Sequence, residues 1–128
     1  MSLLENKVAL ITGAGGGIGR GIARRFAREG AAVIVAEIDA ESGRKVAAEL
    51  QELGGQGHFV QTDVLDKESV LSAINAAVSR FGGLDILVNN AFVPSANVLL
   101  EDKTDEQLEQ TLTSTVKATW WAMQASLP

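Results

Sequence analysis

Residues 12–19 read TGAGGGIG and contain five glycines in eight positions. The stretch lies between the apolar residues 8–11 and an amphipathic segment that begins at Ile18. Because a glycine inside a regular element costs up to about 1 kcal/mol relative to alanine, such a cluster indicates positive φ angles or a close backbone approach. A glycine-rich junction between a strand and a helix predicts a phosphate site, since the first N–H groups of a helix lack partners.

Each motif glycine has a different expected role. We expect Gly13 to make the tight turn, Gly17 to let phosphates approach the backbone, and Gly19 to let the helix pack closely on the sheet. The spacing Gly-x-x-x-Gly-x-Gly matches neither the Gly-x-Gly-x-x-Gly fingerprint nor the phosphate loop that ends in Gly-Lys-Ser/Thr. Taken alone, the motif is also compatible with a purely structural turn.

The composition limits the class of protein. With 128 residues, 46% of them apolar, the chain suits a single domain over residues 1–128. The net charge of −5 argues against a nucleic-acid partner, and no apolar run approaches the roughly 20 residues of a membrane span. Cysteine is absent, so a metal site would need His58 with carboxylates, and we expect none. A cytoplasmic location fits this composition best.

Four apolar runs alternate with helical patterns, and this alternation predicts the architecture. The runs cover residues 7–12, 32–36, 57–62 and 84–88, and they are apolar at consecutive positions, as in parallel strands covered on both faces. Right-handed crossovers favour the strand order 3-2-1-4. We therefore predict an α/β fold with three layers, a doubly wound Rossmann-like parallel sheet of about four strands.

The helices are predicted from apolar residues at three- and four-residue steps. Asp66 is placed to cap the N-terminus of the third helix. The first three helices are expected to end at the glycines at positions 30, 54–55 and 82–83. The expected inward residues of those helices are Ile18, Ile22 and Phe26, then Val46, Leu50 and Leu53, then Val70, Ile74, Val78 and Phe81.

A fourth helical region is predicted from a capping-box pattern at residues 104–107 and extends to about residue 127. Trp121 lies off the expected inward stripe and is predicted to point elsewhere. That stripe consists of Leu108, Leu112, Val116, Trp120, Met123 and Leu127.

Polar residues follow several of the predicted strands. Glu37 lies 24 residues after Gly13 at the end of the second strand, where a carboxylate can accept hydrogen bonds from both ribose hydroxyls of an adenosine. A ribose phosphate would be repelled there, although a plain surface glutamate is the alternative on position alone. Asp63 follows the third strand and residues 89–91 follow the fourth. The carboxyl ends of parallel strands share one edge, so these groups are expected to face one ligand.

These motifs resemble, in order and spacing, the coenzyme half of the short-chain dehydrogenase/reductase family. The resemblance rests on residues 12–19, on Asp63-Val64 and on Asn89-Asn90-Ala91, and it covers essentially all 128 residues. It implies an NAD site in which the pyrophosphate is contacted by Gly13, Gly17, Ile18 and Gly19 and the ribose by Glu37. The adenine is contacted by Asp63 and Val64, and the nicotinamide side by Asn89 and Ala91. The complete candidate set is Gly13, Gly15, Gly16, Gly17, Ile18, Gly19, Glu37, Ile38, Asp63, Val64, Asn89 and Ala91.

The resemblance also favours NAD over NADP. Members that prefer NADP often carry a basic residue just before the second motif glycine or just after the end of the second strand. Gly16 and Ile38 occupy those positions here. Arg20 lies near residues 12–19, the glycine loop. A spacing typical of a solvated helix side is nevertheless shared by Arg20, Arg24, Arg25 and Arg28.

The family's catalytic positions are not matched in this sequence. The family uses a Ser and a Tyr-x-x-x-Lys motif beyond a fifth strand, and these 128 residues contain no tyrosine. Thr115 aligns with the family's helix-four Asn, and Phe92 with the last Gly of Asn-Asn-Ala-Gly, where its bulk would crowd the nicotinamide. His58 is expected to have a structural or solvent role, and no catalytic residue is predicted. An oxidoreductase, a non-catalytic NAD-binding or scaffold module, and a fragment that binds poorly all stay open.

The fourth helix and the edge of the fourth strand are expected to form a homodimer interface. Without a fifth strand, the fourth strand offers an unpaired apolar edge, which favours self-association or a partner chain. Related enzymes commonly pair through this fourth helix. Trp121, directed off the inward stripe, is the predicted anchor.

Overall fold

Four parallel strands form the predicted sheet in the order β3-β2-β1-β4. The structure is a computed structural model that describes residues 2–128, so Met1 lies outside the described residues. β1 pairs with β2 in the register Leu10↔Ile34, and β4 pairs with β1. The strands are β1 Val8–Thr12, β2 Ala32–Glu37, β3 Gln56–Gln61 and β4 Ile86–Val88.

Helices cover both faces of the sheet, which gives the three layers of a doubly wound fold. On one face, Ile11 and Val35 pack in a buried cluster with residues of the first two helices. On the other face, Leu10 and Ile34 pack in a second cluster with residues of the third and last helices. The helices are α1 Gly17–Arg28, α2 Ala40–Glu52, α3 Lys67–Phe81, α4 Asp105–Leu112 and α5 Ala118–Ser126.

The helix boundary signals in the sequence are confirmed. Asp66 caps α3 by accepting from Glu68 N at 3.1 Å, and the Thr104 side chain caps α4 in a complete capping box with Gln107. The predicted C-terminal glycines after α1, α2 and α3 have φ angles of 91°, 92° and 87°. Side chains would strain this left-handed backbone, so glycine ends each helix without that cost.

The inward stripe predicted for α1 is wrong at Ile18, which is 77% exposed. The buried positions of α1 are Gly19, Ala23 and Ala27, while Ile22 and Phe26 are partly buried at the side of the cluster. Small residues face the sheet because α1 packs too closely to admit larger ones. On α2, Val46 and Leu50 are buried as predicted. On α3, Val70 and Ile74 are buried, but Val78 is 54% exposed and Ala73 and Ala77 face inward instead.

The fourth helical region differs more from its prediction. A π turn at Thr113–Lys117 separates α4 from α5, and the predicted inward stripe lies in solvent. Ser114, Ala118 and Ala122 are the buried positions, and Trp121 packs against the core cluster of the α3 face. The prediction that Trp121 points away is therefore wrong. The exposed stripe runs through Leu108, Leu112, Val116, Trp120, Met123 and Leu127, which are 42–73% exposed.

Small residues explain the inversion, because they let α5 approach α3 and β4 closely and leave the bulky side chains outside. Periodicity alone does not distinguish the two faces, since an exposed apolar face and a buried one have the same spacing. Within residues 2–128, no helix is long and apolar enough to cross a membrane.

Candidate functional site

A cleft of about 320 Å³ opens at the carboxyl ends of the strands. Its size is within the range of small-molecule sites, and the loops that follow all four strands contribute to its walls. The lining residues are Gly13, Gly16, Gly17, Ile18, Glu37, Ile38, Thr62, Asp63, Val64, Asn90, Ala91, Phe92 and Val93. Most of the site residues predicted from the sequence thus meet in one place, and Gly15, Gly19 and Asn89 stand outside this lining.

The glycine loop leaves its backbone open toward the cleft. Gly13 and Gly17 have φ angles of 67° and 54°, which L residues with side chains rarely adopt. A Cβ added at Gly16 or Gly17 would meet no atom within 4 Å, so the space over this backbone is free. A group on a ligand can therefore approach the main chain here without passing a side chain.

The N-terminus of α1 differs from those of α2, α3 and α4. Its N-cap, Gly16, makes no side-chain hydrogen bond, and its first turn has no acidic residue. By contrast, Asp39, Asp66 and Thr104 cap α2, α3 and α4 with their side chains, and acidic residues occupy each of those first turns. The partial positive charge of the α1 dipole is thus not neutralised by a capping side chain or by an acidic residue of its own first turn, and it lies beside the cleft.

Gly19 and Asn90 hold the loop against the end of β1. A Cβ at Gly19 would lie 2.6 Å from Asn90 Nδ2 and closer still to the carbonyl oxygen of Gly13. Asn90 Nδ2 donates to the backbone oxygens of Thr12 at 3.0 Å and Gly13 at 3.3 Å. The tight packing of α1 on the sheet therefore depends on the absence of a side chain at position 19.

Thr12 and Asn90 are structural site residues that the sequence reasoning missed. The buried Thr12 Oγ1 accepts from Asn90 N and Ala91 N, each at 3.0 Å, so it ties the loop after β4 to the end of β1. The signal that could have identified them is their place in the sequence motifs, because Thr12 begins TGAGGGIG and Asn90 is the second residue of Asn-Asn-Ala.

The Glu37 carboxylate stands at the end of β2 and accepts three backbone hydrogen bonds. Oε1 accepts from Gly15 N at 3.1 Å, and Oε2 accepts from Ile38 N at 2.8 Å and Asp39 N at 3.1 Å. The side chain therefore joins the glycine loop to the turn between β2 and α2. It lines the cleft in this anchored position.

Asp63 and Val64 form the turn after β3. Asp63 Oδ1 accepts from Leu65 N at 2.9 Å, while Asp63 N donates to Ser69 Oγ on α3 at 2.8 Å. Val64 is only 9% exposed and presents its remaining surface to the cleft. The turn is thus fixed at both ends beside the apolar part of the cleft.

The remaining sequence candidates lie at the margin. Asn89 is exposed and lines a small neighbouring cavity that Ala91 also lines, while Phe92 is 64% exposed and lines the main cleft. Thr115 is exposed in the π turn, where its Oγ1 donates to Thr111 O at 2.6 Å. His58 lies within β3, paired in register with Ile34.

Arg20 is held outside the cleft by Glu49 of α2, in line with the expected solvated helix side. Its Nε and Nη2 donate to the two Glu49 carboxylate oxygens at 3.0 and 2.9 Å, and Arg24 Nη1 lies 3.2 Å from Oε1. The hydrogen bond from Arg20 and the positive charges of Arg20, Arg24 and Lys45 lower the pKa of Glu49. Among residues 2–128, no group of three or more His, Asp or Glu side chains is arranged to hold a metal ion.

Taken together, the sheet order, the cleft at its carboxyl edge and the glycine loop define a doubly wound α/β protein with a Rossmann-like site. The family model described as short chain dehydrogenase matches residues 7–128. The chain belongs to the short-chain dehydrogenase family.

Individual relatives agree with this assignment. An uncharacterized oxidoreductase of Thermotoga maritima is 45% identical over 104 residues, which is 81% of this chain and 41% of that protein. A short chain dehydrogenase from Mycobacterium avium superposes with a TM-score of 0.89 at 30% identity, covering 97% of this chain and 46% of that one. An NAD⁺-bound xylitol dehydrogenase superposes with a TM-score of 0.90 at 31% identity. The superposition covers 97% of this chain and 48% of that one. The chain spans less than half the length of these relatives.

Proposed function

We propose that residues 1–128 act as one unit that binds NAD(H) in the cleft and prefers it to NADP(H). The observation that carries the proposal is that the Glu37 carboxylate and the uncapped N-terminus of α1 line the same cleft. A positive helix tip favours the pyrophosphate, while a carboxylate at the end of β2 favours free ribose hydroxyls and repels a ribose phosphate. A structural neighbour, xylitol dehydrogenase, was solved with NAD⁺ bound.

The fit to a dinucleotide follows from the shape of the site. The open backbone over Gly16 and Gly17 leaves room for phosphate oxygens, and Ile38 and Val64 supply apolar surface for an adenine ring. Asn89 and Ala91 lie on the β4 side, where the nicotinamide end would be placed. When bound, the nicotinamide supplies hydride transfer, and the residues of this chain hold and orient it. The other candidate residues of the sequence, Gly13, Gly15, Ile18, Gly19 and Asp63, belong to the loops that would surround the nucleotide.

The proposed wider activity is that of a short-chain oxidoreductase. Within residues 1–128 the proposal assigns no catalytic residue, because the sequence has no tyrosine and the Thr115 hydroxyl already donates to a backbone carbonyl. The aromatic residue in the cleft lining is Phe92, whose side chain has no ionisable group and cannot donate a proton. The contribution of these residues is therefore coenzyme binding.

Calorimetric titration of the chain with NAD and with NADP tests the proposal. We expect tighter binding of NAD, and we expect Glu37→Ala to weaken it about 10- to 100-fold, as for a lost hydrogen bond to a charged group. Glu52→Ala, at an exposed position at the end of α2, is the matched control and should leave binding unchanged. Absence of heat and of thermal stabilisation with both nucleotides would reject the proposal.

A second candidate function, a non-catalytic binding module that works through self-association, is favoured by the exposed stripe of α4 and α5. We propose that a second copy of this chain covers the stripe and the free edge of β4, which within residues 2–128 pairs only with β1. Sedimentation should show a dimer at micromolar concentration, and a stable monomer would contradict this. Neither candidate gives residues 1–128 a catalytic residue, so absorbance of the reduced nicotinamide with alcohol and ketone panels should show no turnover, and sedimentation is the measurement that separates the candidates.

A further inference from the structure

Gly15 differs from the other motif glycines because it faces the Glu37 side chain, and like Gly19 it lies outside the cleft lining. Its N–H donates to Glu37 Oε1 at 3.1 Å. A Cβ at this position would lie 2.6 Å from Glu37 Cγ, 2.7 Å from Glu37 Oε1 and 2.6 Å from Ser42 Oγ. Real Cβ atoms essentially never approach other atoms this closely. The carboxylate thus occupies space that exists only because residue 15 has no side chain.

The backbone of Gly15 does not itself require glycine. Gly13 and Gly17 have positive φ angles, but Gly15 does not. An alanine at position 15 would therefore introduce no backbone strain, and its clash would be with the flexible side chains of Glu37 and Ser42. The effect of the substitution is thus expected to be a displaced carboxylate within an otherwise intact loop.

We propose that Gly15 is a positioning residue for coenzyme selection, which seats the Glu37 carboxylate so that it admits a ribose diol and excludes a ribose phosphate. The inference rests on the proposed NAD site. Three backbone N–H groups fix the carboxylate, so it does not rotate away from an incoming phosphate. Two of these donors, on Ile38 and Asp39, are local to the β2–α2 turn, and Gly15 supplies the one contact from the glycine loop.

The three backbone hydrogen bonds that hold the Glu37 carboxylate also determine which of its acceptor positions are left for a ligand. Oε2 accepts two backbone hydrogen bonds and Oε1 accepts one, so Oε1 keeps an acceptor position for a ribose hydroxyl. The methyl group introduced by Gly15→Ala would displace Oε1 and open the space beside it. NAD would then lose a hydrogen bond to a charged acceptor, and NADP would lose the repulsion that excludes it.

The test compares Gly15→Ala with Gly21→Ala by calorimetric titration with NAD and NADP. Gly21 is an exposed residue of α1 whose added Cβ would meet no atom within 4 Å, so its substitution is a matched control. We expect Gly15→Ala to weaken NAD binding about tenfold and to leave NADP binding unchanged or tighter. Gly21→Ala should leave the ratio of the two dissociation constants as in the wild type.

A double-mutant cycle with Glu37→Ala separates positioning from direct contact. If Gly15 acts through Glu37, Gly15→Ala has no further effect on NAD binding once the carboxylate is removed. An equal effect in both backgrounds, or an unchanged ratio in Gly15→Ala alone, overturns the inference while leaving the NAD site in place. Failure of the wild type to bind either nucleotide overturns the proposed function itself.

A ligand-free measurement covers the case in which Gly15→Ala does not fold. Hydrogen exchange of the Gly15 amide, followed by NMR, should be about tenfold faster in Glu37→Ala than in the wild type, because the amide loses its acceptor. In Glu52→Ala the rate should not change. Equal exchange in the wild type and Glu37→Ala would show that the carboxylate is not seated on this amide, and would overturn the inference.

Discussion

Arg20 and Glu49 join α1 to α2 through two hydrogen bonds, Nε to Oε2 at 3.0 Å and Nη2 to Oε1 at 2.9 Å. Arg24 adds a third cationic contact to the same carboxylate. Since α1 carries the open N-terminus that faces the cleft, this pair fixes the helix on its outer side. The Arg20 side chain is 43% exposed and the Glu49 side chain 22% exposed, so solvent screens the interaction and limits its contribution to stability.

The first prediction concerns pH. Because these arginines lower the Glu49 pKa, the ion pair adds stability above the ordinary glutamate range and loses it as the pH falls through the lowered pKa. Glu49→Gln should lower the free energy of unfolding by up to about 1 kcal/mol at pH 7. Urea unfolding should show this gap from the wild type closing in acid. Glu52→Gln is the control, and a gap that stays constant with pH would contradict the assignment.

The second prediction concerns the close approach of α1 to the sheet. Gly19→Ala places a methyl group against the Gly13 carbonyl and Asn90 Nδ2, and backbone on one side prevents an easy adjustment. We expect a loss of about 1–3 kcal/mol in unfolding free energy, as for an overpacked site. Gly21→Ala, in the same helix with open space around it, should be neutral or slightly stabilising. Equal stabilities of the two variants would show that the packing adjusts freely.

The third prediction concerns the hydrogen bonds that Asn90 donates to the end of β1 and to the glycine loop. Asn90→Ala removes the donors to the Thr12 and Gly13 carbonyls and leaves both oxygens at the base of the loop without them. We expect a loss of about 1–3 kcal/mol together with weaker nucleotide binding. Asn75→Ala, an exposed position on α3, serves as control. Thermal unfolding with and without NAD measures both effects, and an unchanged midpoint would refute the structural role.

The fourth prediction separates two adjacent tryptophans. Trp121 packs against the core, whereas Trp120 is 64% exposed. Trp121→Ala should therefore lower the free energy of unfolding by roughly 2–3 kcal/mol, and Trp120→Ala should change it by no more than about 0.5 kcal/mol. Trp120→Ala should instead shift the proposed dimer toward monomer in sedimentation. A stability loss in Trp120→Ala larger than in Trp121→Ala would reverse the assignment.

The sheet and the edge at which the candidate residues meet were predictable from the sequence. Consecutive apolar runs separated by helical patterns fix parallel strands, and the handedness of crossovers then gives the observed order. Given that order, the glycine loop, Glu37 and Asp63 had to meet at one edge, because each follows the carboxyl end of a strand.

The side-chain environment was less predictable, for a physical reason. The inward residues of α1 and α5 are small, among them Ala23 and Ala122, and small residues give little periodic signal. The apolar stripe through Trp120 gave the stronger signal and lies in solvent. In the same way, the role of Gly15 depends on the place of the Glu37 side chain in space, which spacing along the chain does not encode.

The π turn at Thr113–Lys117 makes the last helix sensitive to length. Each residue of an α-helix advances the chain by about 100°, so removing one residue from the turn would rotate α5 by that angle. Trp120 would then swing toward the sheet and Trp121 into water. Insertions and deletions in this five-residue segment, more than substitutions, would therefore determine whether the Trp120 or the Trp121 side chain is exposed to solvent.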